Sequence, residues 1–162
     1  MQGYEYVTHT FAPVFDKKSK ILILGSFPSV KSRENQFYYG HPQNRFWKVI
    51  AQVFEVQVPQ TIEEKKNFLL EHQIAVWDVI ESCTIIVSSD SSIKDVVVND
   101  FSRILENSSI EKIYVNGGKA YELYHKYAEK QTGILAVKLP STSPANAAWS
   151  LEKLCVAWNV IK

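Results

Sequence analysis

The chain has few cysteines and no pattern of residues typical of a metal site. Cys83 and Cys155 are its only cysteines, and they lie far apart with no CxxC pair. This spacing argues against a disulfide framework, a zinc knuckle or an iron–sulfur cluster. The four histidines form no pair at ligand spacing. We therefore expect none of these metal sites or disulfides, and we expect Cys155, which lies on an apolar helical stripe, to belong to the core.

Long hydrophobic runs and a strong net charge are also missing. The N-terminus has no apolar segment of the signal-peptide type, and no run approaches the length of a membrane span. We therefore expect a cytoplasmic protein with no membrane partner. A formal charge of +1 rules out a strong overall attraction to polyanions. With 162 residues, the chain has the length of one domain, 1–162, in which residues 1–19 form an N-terminal arm.

Charge is uneven along the chain, although its sum is small. Residues 26–48 carry +3, because Glu34 is their only acidic residue against four cations, Lys31, Arg33, Arg45 and Lys48. A small basic patch beside aromatic residues suits a short contact with nucleic acid. A solvated loop with scattered charges explains the same residues equally well.

Short apolar runs alternate with amphipathic segments, which indicates an α/β fold. Strands are predicted at about 20–25, 74–79, 110–116 and 134–139, and helices at about 45–54, from 61, 100–107, 118–130 and up to 160. Strands rich in Ile and Val are typical of a parallel sheet covered by helices on both faces. In such sheets, ligands bind beyond the carboxyl ends of the strands.

A long segment after the first strand holds an unusual set of side chains. Between Gly25 and Arg45 we expect neither helix nor strand, yet the segment contains Phe37-Tyr38-Tyr39 and then His41-Pro-Gln-Asn44. Loops of this length in compact domains are usually functional or disordered, and this one is too aromatic for a disordered linker. The aromatic rings suit stacking on a nucleic-acid base. They also suit a small core of the loop itself.

The start of this segment is similar to a phosphate-binding loop. Gly25 is followed by Lys31 and Ser32, but Val30 stands where that loop needs a second glycine, and Pro28 removes a backbone amide. A triphosphatase is therefore disfavoured. A tight turn that brings the backbone close to a ligand fits better, because Gly25 carries no Cβ.

Asn44 lies where the next helix begins, and two interpretations stay open. Asparagine is a common helix cap. Its carbonyl oxygen also suits a group that orients a water molecule in a reaction with a good leaving group.

Polar residues also follow the later strands. Ser143-Pro144 predicts the N-cap and first residue of the last helix, whose N–H groups, beside Ser141 and Thr142, would suit phosphate. An ordinary capped loop is the alternative. Trp77-Asp78 and Asn116 end two other strands and either line a pocket or serve sheet packing and a turn.

Three segments together resemble the uracil-DNA glycosylase superfamily, and in particular its hypoxanthine (deoxyinosine) branch. They are residues 25–29 (GSFPS), 38–47 (YYGHPQNRFW) and 139–146 (LPSTSPAN). The runs 77–83, 90–95 and 99–101 are similar to that branch as well. Two positions depart from other members of the superfamily. Phe27 stands where a GINPG-type motif has its catalytic asparagine, and Leu139 replaces the histidine of an HPS-type motif.

The resemblance implies a three-layer α/β/α fold around a four-stranded parallel sheet. It implies hydrolysis of the N-glycosidic bond of a deaminated base in double-stranded DNA, by a monomer that needs no metal or cofactor. Two alternatives stay open: a uracil- or mismatch-specific DNA glycosylase, and a non-catalytic module of the same fold that binds damaged DNA.

The resemblance also implies roles for individual residues. Asn44 becomes the catalytic residue. The base-binding pocket would be formed by Gly25, Ser26, Phe27, Pro28, Tyr38, Tyr39, His41 and Asn116. Contacts to the DNA backbone would come from Ser29, Lys31, Arg45, Ser141, Thr142 and Ser143.

Overall fold

The computed structural model describes residues 3–162, and it contains two sheets and helices on both faces of the larger one. The strands are β1 (Glu5–Thr8), β2 (Ile21–Gly25), β3 (Ile74–Asp78), β4 (Ile80–Ile85), β5 (Lys94–Val98), β6 (Lys112–Asn116) and β7 (Ala136–Leu139). The helices are α1 (Val30–Asn35), α2 (Phe46–Val53), α3 (Ile62–Glu71), α4 (Ser102–Glu106), α5 (Gly118–Leu123), α6 (Glu129–Thr132) and α7 (Leu151–Trp158). Short 3-10 turns lie at Asp90–Ser92 and Asn159–Ile161, and a π-helical turn, Tyr124–Ala128, joins α5 to α6.

The larger sheet is the predicted four-stranded parallel sheet. Its order is β3-β2-β6-β7, so the first strand of the motif-bearing segment lies in the middle. The register pairs Gly25 with Asp78, and Asn116 with Leu139. The ends of all four strands therefore meet at one edge of the sheet, where the loops that carry the three motifs also leave.

Helices cover both faces of this sheet, because its strands are apolar on both sides. One face packs on α2, α3 and α7, through residues such as Phe46, Ile50, Leu69, Leu154 and Trp158. The opposite face packs on α4, α5 and the π-helical turn, through residues such as Phe101, Ile104, Leu123 and Tyr124. The three-layer α/β/α expectation is confirmed. Cys155 is buried in the first of these cores, as predicted.

A second, antiparallel sheet has the order β1-β4-β5. Val14 in the arm also forms an antiparallel bridge with Val76 of β3. The arm is thus attached to both sheets. Residues 1 and 2 of the predicted arm lie outside the described residues.

Two expectations about local structure are wrong. The segment after β2 contains a helix, α1, because the hydroxyl of Ser29 accepts a hydrogen bond from the amide of Ser32 and caps it. The last helix does not begin at Ser143-Pro144. It begins at Leu151, after Ser150, whose hydroxyl accepts from the amide of Lys153 at 3.2 Å. Along 3–162, no helix is long and apolar enough to cross a bilayer.

Candidate active site

A cavity of about 350 Å³ lies at the carboxyl edge of the parallel sheet, where the three motif segments meet. It is lined by Asn44 and by all eight residues predicted for the base-binding pocket, namely Gly25, Ser26, Phe27, Pro28, Tyr38, Tyr39, His41 and Asn116. Four of the six predicted DNA contacts line it too, namely Ser29, Ser141, Thr142 and Ser143. The structure therefore brings together side chains from distant parts of the chain.

The carbonyl oxygen of Asn44 is held by two donors. The amide of Phe46, the first residue of α2, donates to Oδ1 at 2.9 Å, and the hydroxyl of Thr142 donates to the same oxygen at 2.9 Å. The helix-capping interpretation and the cavity-lining interpretation therefore both hold for this one side chain. Because both lone pairs of Oδ1 are occupied, a water molecule could be accepted there only after one donor turned away.

Thr142 links Asn44 to the neighbouring strand. Its hydroxyl accepts from Nδ2 of Asn116 at 3.0 Å, and its amide donates to Oδ1 of Asn116 at 3.0 Å. The residue is fully buried. A direct contact between the Thr142 side chain and a DNA phosphate, as predicted, is therefore not what the structure supports, because the hydroxyl is used inside the protein.

Arg45 is also turned inward rather than toward solvent. Its guanidinium donates to the backbone carbonyls of Ser143 at 2.9 Å and Asn146 at 3.1 Å, to that of Thr142, and to that of Trp149. These bonds occupy most of its donors and leave little of the guanidinium for the predicted contact with the DNA backbone. Arg45 instead holds the loop between β7 and α7 against the start of α2.

The remaining predicted DNA contacts lie at the rim. Ser141 and Ser143 are half-buried in the loop after β7, and the Ser141 hydroxyl accepts from the amide of Ser143 at 3.1 Å. Ser29 caps α1. Lys31 is exposed on α1, does not line the cavity, and faces Glu34 with 3.4 Å between Nζ and Oε2. An exposed pair of this kind contributes little to stability, so Lys31 stays free to meet a phosphate.

The aromatic triplet divides between core and cavity. Phe37 is buried and stacks on Trp47 with 6.1 Å between ring centroids. Tyr38 is buried, and its hydroxyl donates to the carbonyl of Ala12 at 2.9 Å. The alternative of a small core within the loop therefore describes Phe37. Tyr38 serves that core and also lines the cavity, as Phe27 does.

Tyr39 has a strained backbone and an unpaired hydroxyl. Its φ of 54° is unusual for a residue other than glycine, and its ring stacks on Phe46 at 4.0 Å. The hydroxyl oxygen is buried without a hydrogen-bond partner among the described residues, although Asn116 lies beside it. Burial, with the negative charge of Asp78, raises the pKa of Tyr39, so the phenol keeps its proton and remains a donor at neutral pH.

One of the two ring nitrogens of His41 already takes part in a hydrogen bond. Its Nδ1 accepts a hydrogen bond from the amide of Gln43 at 3.1 Å. A neutral imidazole with Nδ1 as acceptor carries its proton on Nε2. His41 can therefore offer Nε2–H to a group in the cavity, whose lining it shares.

Two acidic residues of the cavity had no assigned role in the sequence. Asp78 lines it at the end of β3, and its Oδ2 lies 2.8 Å from Nε2 of His9. Asp90, in the serine-rich loop, accepts from the hydroxyl of Ser26 at 2.9 Å. Asp90 is an exposed residue, but partial desolvation of its carboxylate at the cavity raises the pKa of Asp90, and the Ser26 hydrogen bond lowers it. The position of Asp78 at the end of a strand could have indicated from sequence alone that it lines the site. Nothing in the sequence around His9 indicated a role there.

The site thus combines amide, hydroxyl and carboxylate groups with aromatic walls. Within residues 3–162, no group of three or more His, Cys, Asp or Glu side chains is arranged to hold a metal ion. The polar groups that the structure brings together can position a water molecule, donate to a base edge and accept from it. These are the requirements of hydrolysis by positioning and electrostatic stabilisation.

Comparisons with known proteins agree with this geometry. Residues 12–162 match the model of the uracil DNA glycosylase superfamily. A protein from Methanosarcina acetivorans, named hypoxanthine DNA glycosylase, is 37% identical over 145 residues, which are 88% of this chain and 90% of the relative. One of the same name from Methanosarcina barkeri is 32% identical over 114 residues, which are 69% and 72% of the two chains.

A solved structure supports the same grouping. It is a solution NMR structure from Methanosarcina acetivorans, of a protein proposed to be a uracil DNA glycosylase, with a TM-score of 0.77 and 33% identity. The match covers 93% of this chain and 96% of the other. Family model, relatives and fold coincide over nearly the whole length. The chain belongs to the uracil DNA glycosylase superfamily.

Proposed function

We propose that this protein is a monofunctional DNA glycosylase that hydrolyses the N-glycosidic bond of hypoxanthine in double-stranded DNA and so initiates base excision repair. The observation that carries the proposal is the position of Asn44 in the cavity, clamped by Thr142 at the carboxyl edge of the sheet. The two relatives named hypoxanthine DNA glycosylase support the choice of base.

The target base lies inside a stacked duplex, so the nucleotide must turn out of the helix before it can enter the cavity. Unstacking costs a few kcal/mol, and contacts to the DNA backbone and to the base must offset that cost. Ser29, Ser141 and Ser143 at the rim, with Lys31 beyond it, supply the backbone contacts. Phe27 and Tyr38 supply aromatic surfaces for the flipped base.

Asn44 positions the attacking water. As the bond to the base lengthens, positive charge develops at C1′ and negative charge on the leaving purine. The Thr142 hydroxyl can rotate about its Cβ–Oγ1 bond, and this rotation frees one lone pair of Asn44 Oδ1 for a proton of the water. Donors such as the Nε2–H of His41 and main-chain amides near Ser26 stabilise the departing base. The protein acts as a monomer in the cytoplasm and needs no metal.

The test is excision on four labelled duplexes, which carry one hypoxanthine, uracil, xanthine or normal base, followed by alkaline cleavage at abasic sites. Cleavage of the hypoxanthine strand is the expected result. Cleavage of the uracil strand alone would agree with the proposed hydrolysis of the N-glycosidic bond but would contradict hypoxanthine as the preferred base. Tight binding of the hypoxanthine duplex without any cleavage would indicate that the protein is a non-catalytic module that binds damaged DNA.

A further inference from the structure

The floor of the cavity contains a buried carboxylate, which is unexpected in a site for a polyanion. Asp78 is 4% exposed, and it lines the cavity that the proposed function assigns to the flipped base. A buried negative charge repels phosphate and costs solvation free energy unless it is paired. Its presence needs a specific task, and the water-positioning role assigned to Asn44 does not use it.

His9 holds this carboxylate in one orientation. The His9 side chain is 2% exposed, and its Nε2 lies 2.8 Å from Oδ2 of Asp78. The main chain of Asp78 is held as well, since Nδ2 of Asn99 donates to its carbonyl at 2.8 Å. His9 itself packs against the rings of Phe11 and Tyr38. With Oδ2 engaged by His9, the orientation of Oδ1 is fixed.

Oδ1 of Asp78 and the hydroxyl of Tyr39 lie around one point of the cavity floor. A Cβ built on Gly25 would be 2.5 Å from Oδ1 and 3.3 Å from the Tyr39 hydroxyl. The absence of a side chain at residue 25 therefore keeps both groups beside the cavity. One group is an acceptor, and the other is a buried donor without a protein partner among the described residues.

This pair of groups matches the N1–H and O6 edge of hypoxanthine, which guanine also presents and adenine does not. A 6-oxopurine presents N1–H, a donor, next to O6, an acceptor. Adenine, from which hypoxanthine arises by deamination, presents the reverse order: N1 accepts and the 6-amino group donates. A carboxylate facing N1 attracts the N1–H of hypoxanthine and repels the lone pair of adenine. Sites that hydrogen-bond a particular N–H or O–H group discriminate strongly against analogues that lack it.

We propose that Asp78, oriented by His9, accepts the N1–H of hypoxanthine and so distinguishes this base from adenine, while the Tyr39 hydroxyl donates to O6. This inference rests on the proposed function and deepens it, because it names the atoms of the base that are recognised. His9 acts through Asp78 and is a positioning residue.

The test separates recognition from chemistry by measuring binding to bases that cannot be released. Two duplexes carry a 2′-fluoro sugar, which resists hydrolysis, with either hypoxanthine or unsubstituted purine, which lacks both N1–H and O6. Dissociation constants are measured for the wild type and for Asp78→Asn. We expect the wild type to prefer hypoxanthine, and we expect Asp78→Asn to lose that preference by roughly ten-fold or more, with little change for purine.

The outcomes are distinct. If Asp78→Asn weakens binding of both duplexes equally, or leaves the preference unchanged, the assignment is overturned. Asp78 would then have only a structural role, in which it connects β3 to the N-terminal arm through His9. If Asp78→Asn does not fold, His9→Phe and His9→Gln carry the test, because glutamine retains a donor and phenylalanine does not. We then expect His9→Phe to lose the preference for hypoxanthine over purine and His9→Gln to retain it. The same preference in both variants would overturn the assignment. Excision by the wild type, measured in parallel on natural hypoxanthine duplexes, reports separately on the proposed function.

Discussion

The hydroxyl of Thr142 donates to the side-chain oxygen of Asn44 across 98 residues of sequence, at 2.9 Å. Through Asn116, the same hydroxyl joins the ends of β6 and β7 to the start of α2. The orientation of Asn44 therefore depends on a residue that is fully buried. This chain of hydrogen bonds joins two of the three motif segments, residues 38–47 and 139–146, to the end of β6.

Replacing Thr142 tests that dependence. Thr142→Val keeps the shape but leaves Nδ2 of Asn116 without its acceptor and Asn44 without one donor. We expect the single-turnover excision rate to fall by roughly ten-fold, the equivalent of one hydrogen bond, with little change in the Kd for DNA. Thr142→Ser retains the hydroxyl and is the matched control, expected to stay near the wild-type rate. Equal rates in Thr142→Val and the wild type would remove Thr142 from the mechanism.

Arg45 is expected to stabilise the fold rather than to bind DNA. Arg45→Lys cannot reproduce the bonds to several carbonyls of one loop, because an ammonium lacks the planar fork of a guanidinium. We expect the free energy of unfolding, measured by urea denaturation, to fall by about 2 kcal/mol.

The salt dependence of DNA binding separates Arg45 from a true phosphate contact. Lys31→Ala is the comparison, since Lys31 is exposed beyond the rim. We expect Lys31→Ala to reduce the slope of log K against log salt by about one phosphate contact, and Arg45→Lys to leave it unchanged. A reduced slope in Arg45→Lys with unchanged stability would restore the DNA-contact interpretation.

Gly25 is expected to be needed for its lack of a side chain. In Gly25→Ala, the new Cβ would lie 2.5 Å from Oδ1 of Asp78, so the carboxylate or the strand must move. We expect a fall in unfolding free energy of about 1–3 kcal/mol and a loss of excision of ten-fold or more. Gly118→Ala is the control, because no atom lies within 4 Å of its Cβ position. That variant is expected to match or exceed wild-type stability. Similar effects in both variants would count against this account of Gly25.

The buried phenol of Tyr39 predicts a loss of stability in alkali. Burial raises its pKa above the ordinary 10.0, so the unfolded chain releases this proton at lower pH than the folded chain. Above pH 10, the unfolded state therefore binds fewer protons, and the free energy of unfolding falls by at most about 1.4 kcal/mol per pH unit for this group. Denaturation of the wild type and Tyr39→Phe between pH 8 and 11 measures it. We expect a shallower fall in Tyr39→Phe, and identical slopes would contradict the effect.

The parallel sheet was predictable, whereas the antiparallel sheet was not. The strands of the former are continuous apolar runs, such as residues 21–24, because both faces are covered. Residues of β1 are mostly exposed, and those of β5 alternate between exposed and half-buried, so neither shows such a run. β1 also pairs with a distant part of the chain, Tyr6 with Thr84, which short-range periodicity does not report, whereas β5 lies close to β4 in sequence and was missed for its lack of an apolar run.

The site was predictable where it depended on side-chain motifs and unpredictable where it depended on tertiary partners. Asn44 and the strand-end loops were visible as unusual side chains after strands. The inward hydrogen bonds of Arg45 could not be predicted, because its partners are backbone carbonyls, which every residue carries. His9 was missed because it meets Asp78 from an arm 69 residues away in sequence. The helix expected at Ser143-Pro144 failed because Arg45 and Asn146 hold that segment as a loop.

The most direct test of the central claim is single-turnover excision of hypoxanthine from a duplex by Asn44→Ala, with the DNA affinity measured alongside. Gln43→Ala, an exposed neighbour, is the matched control. We predict that Asn44→Ala loses excision by at least about 100-fold, as expected for a group that acts in the transition state, while its Kd for DNA and the rate of Gln43→Ala stay near wild type. Excision by Asn44→Ala at the wild-type rate would contradict the assignment of Asn44 as the catalytic residue.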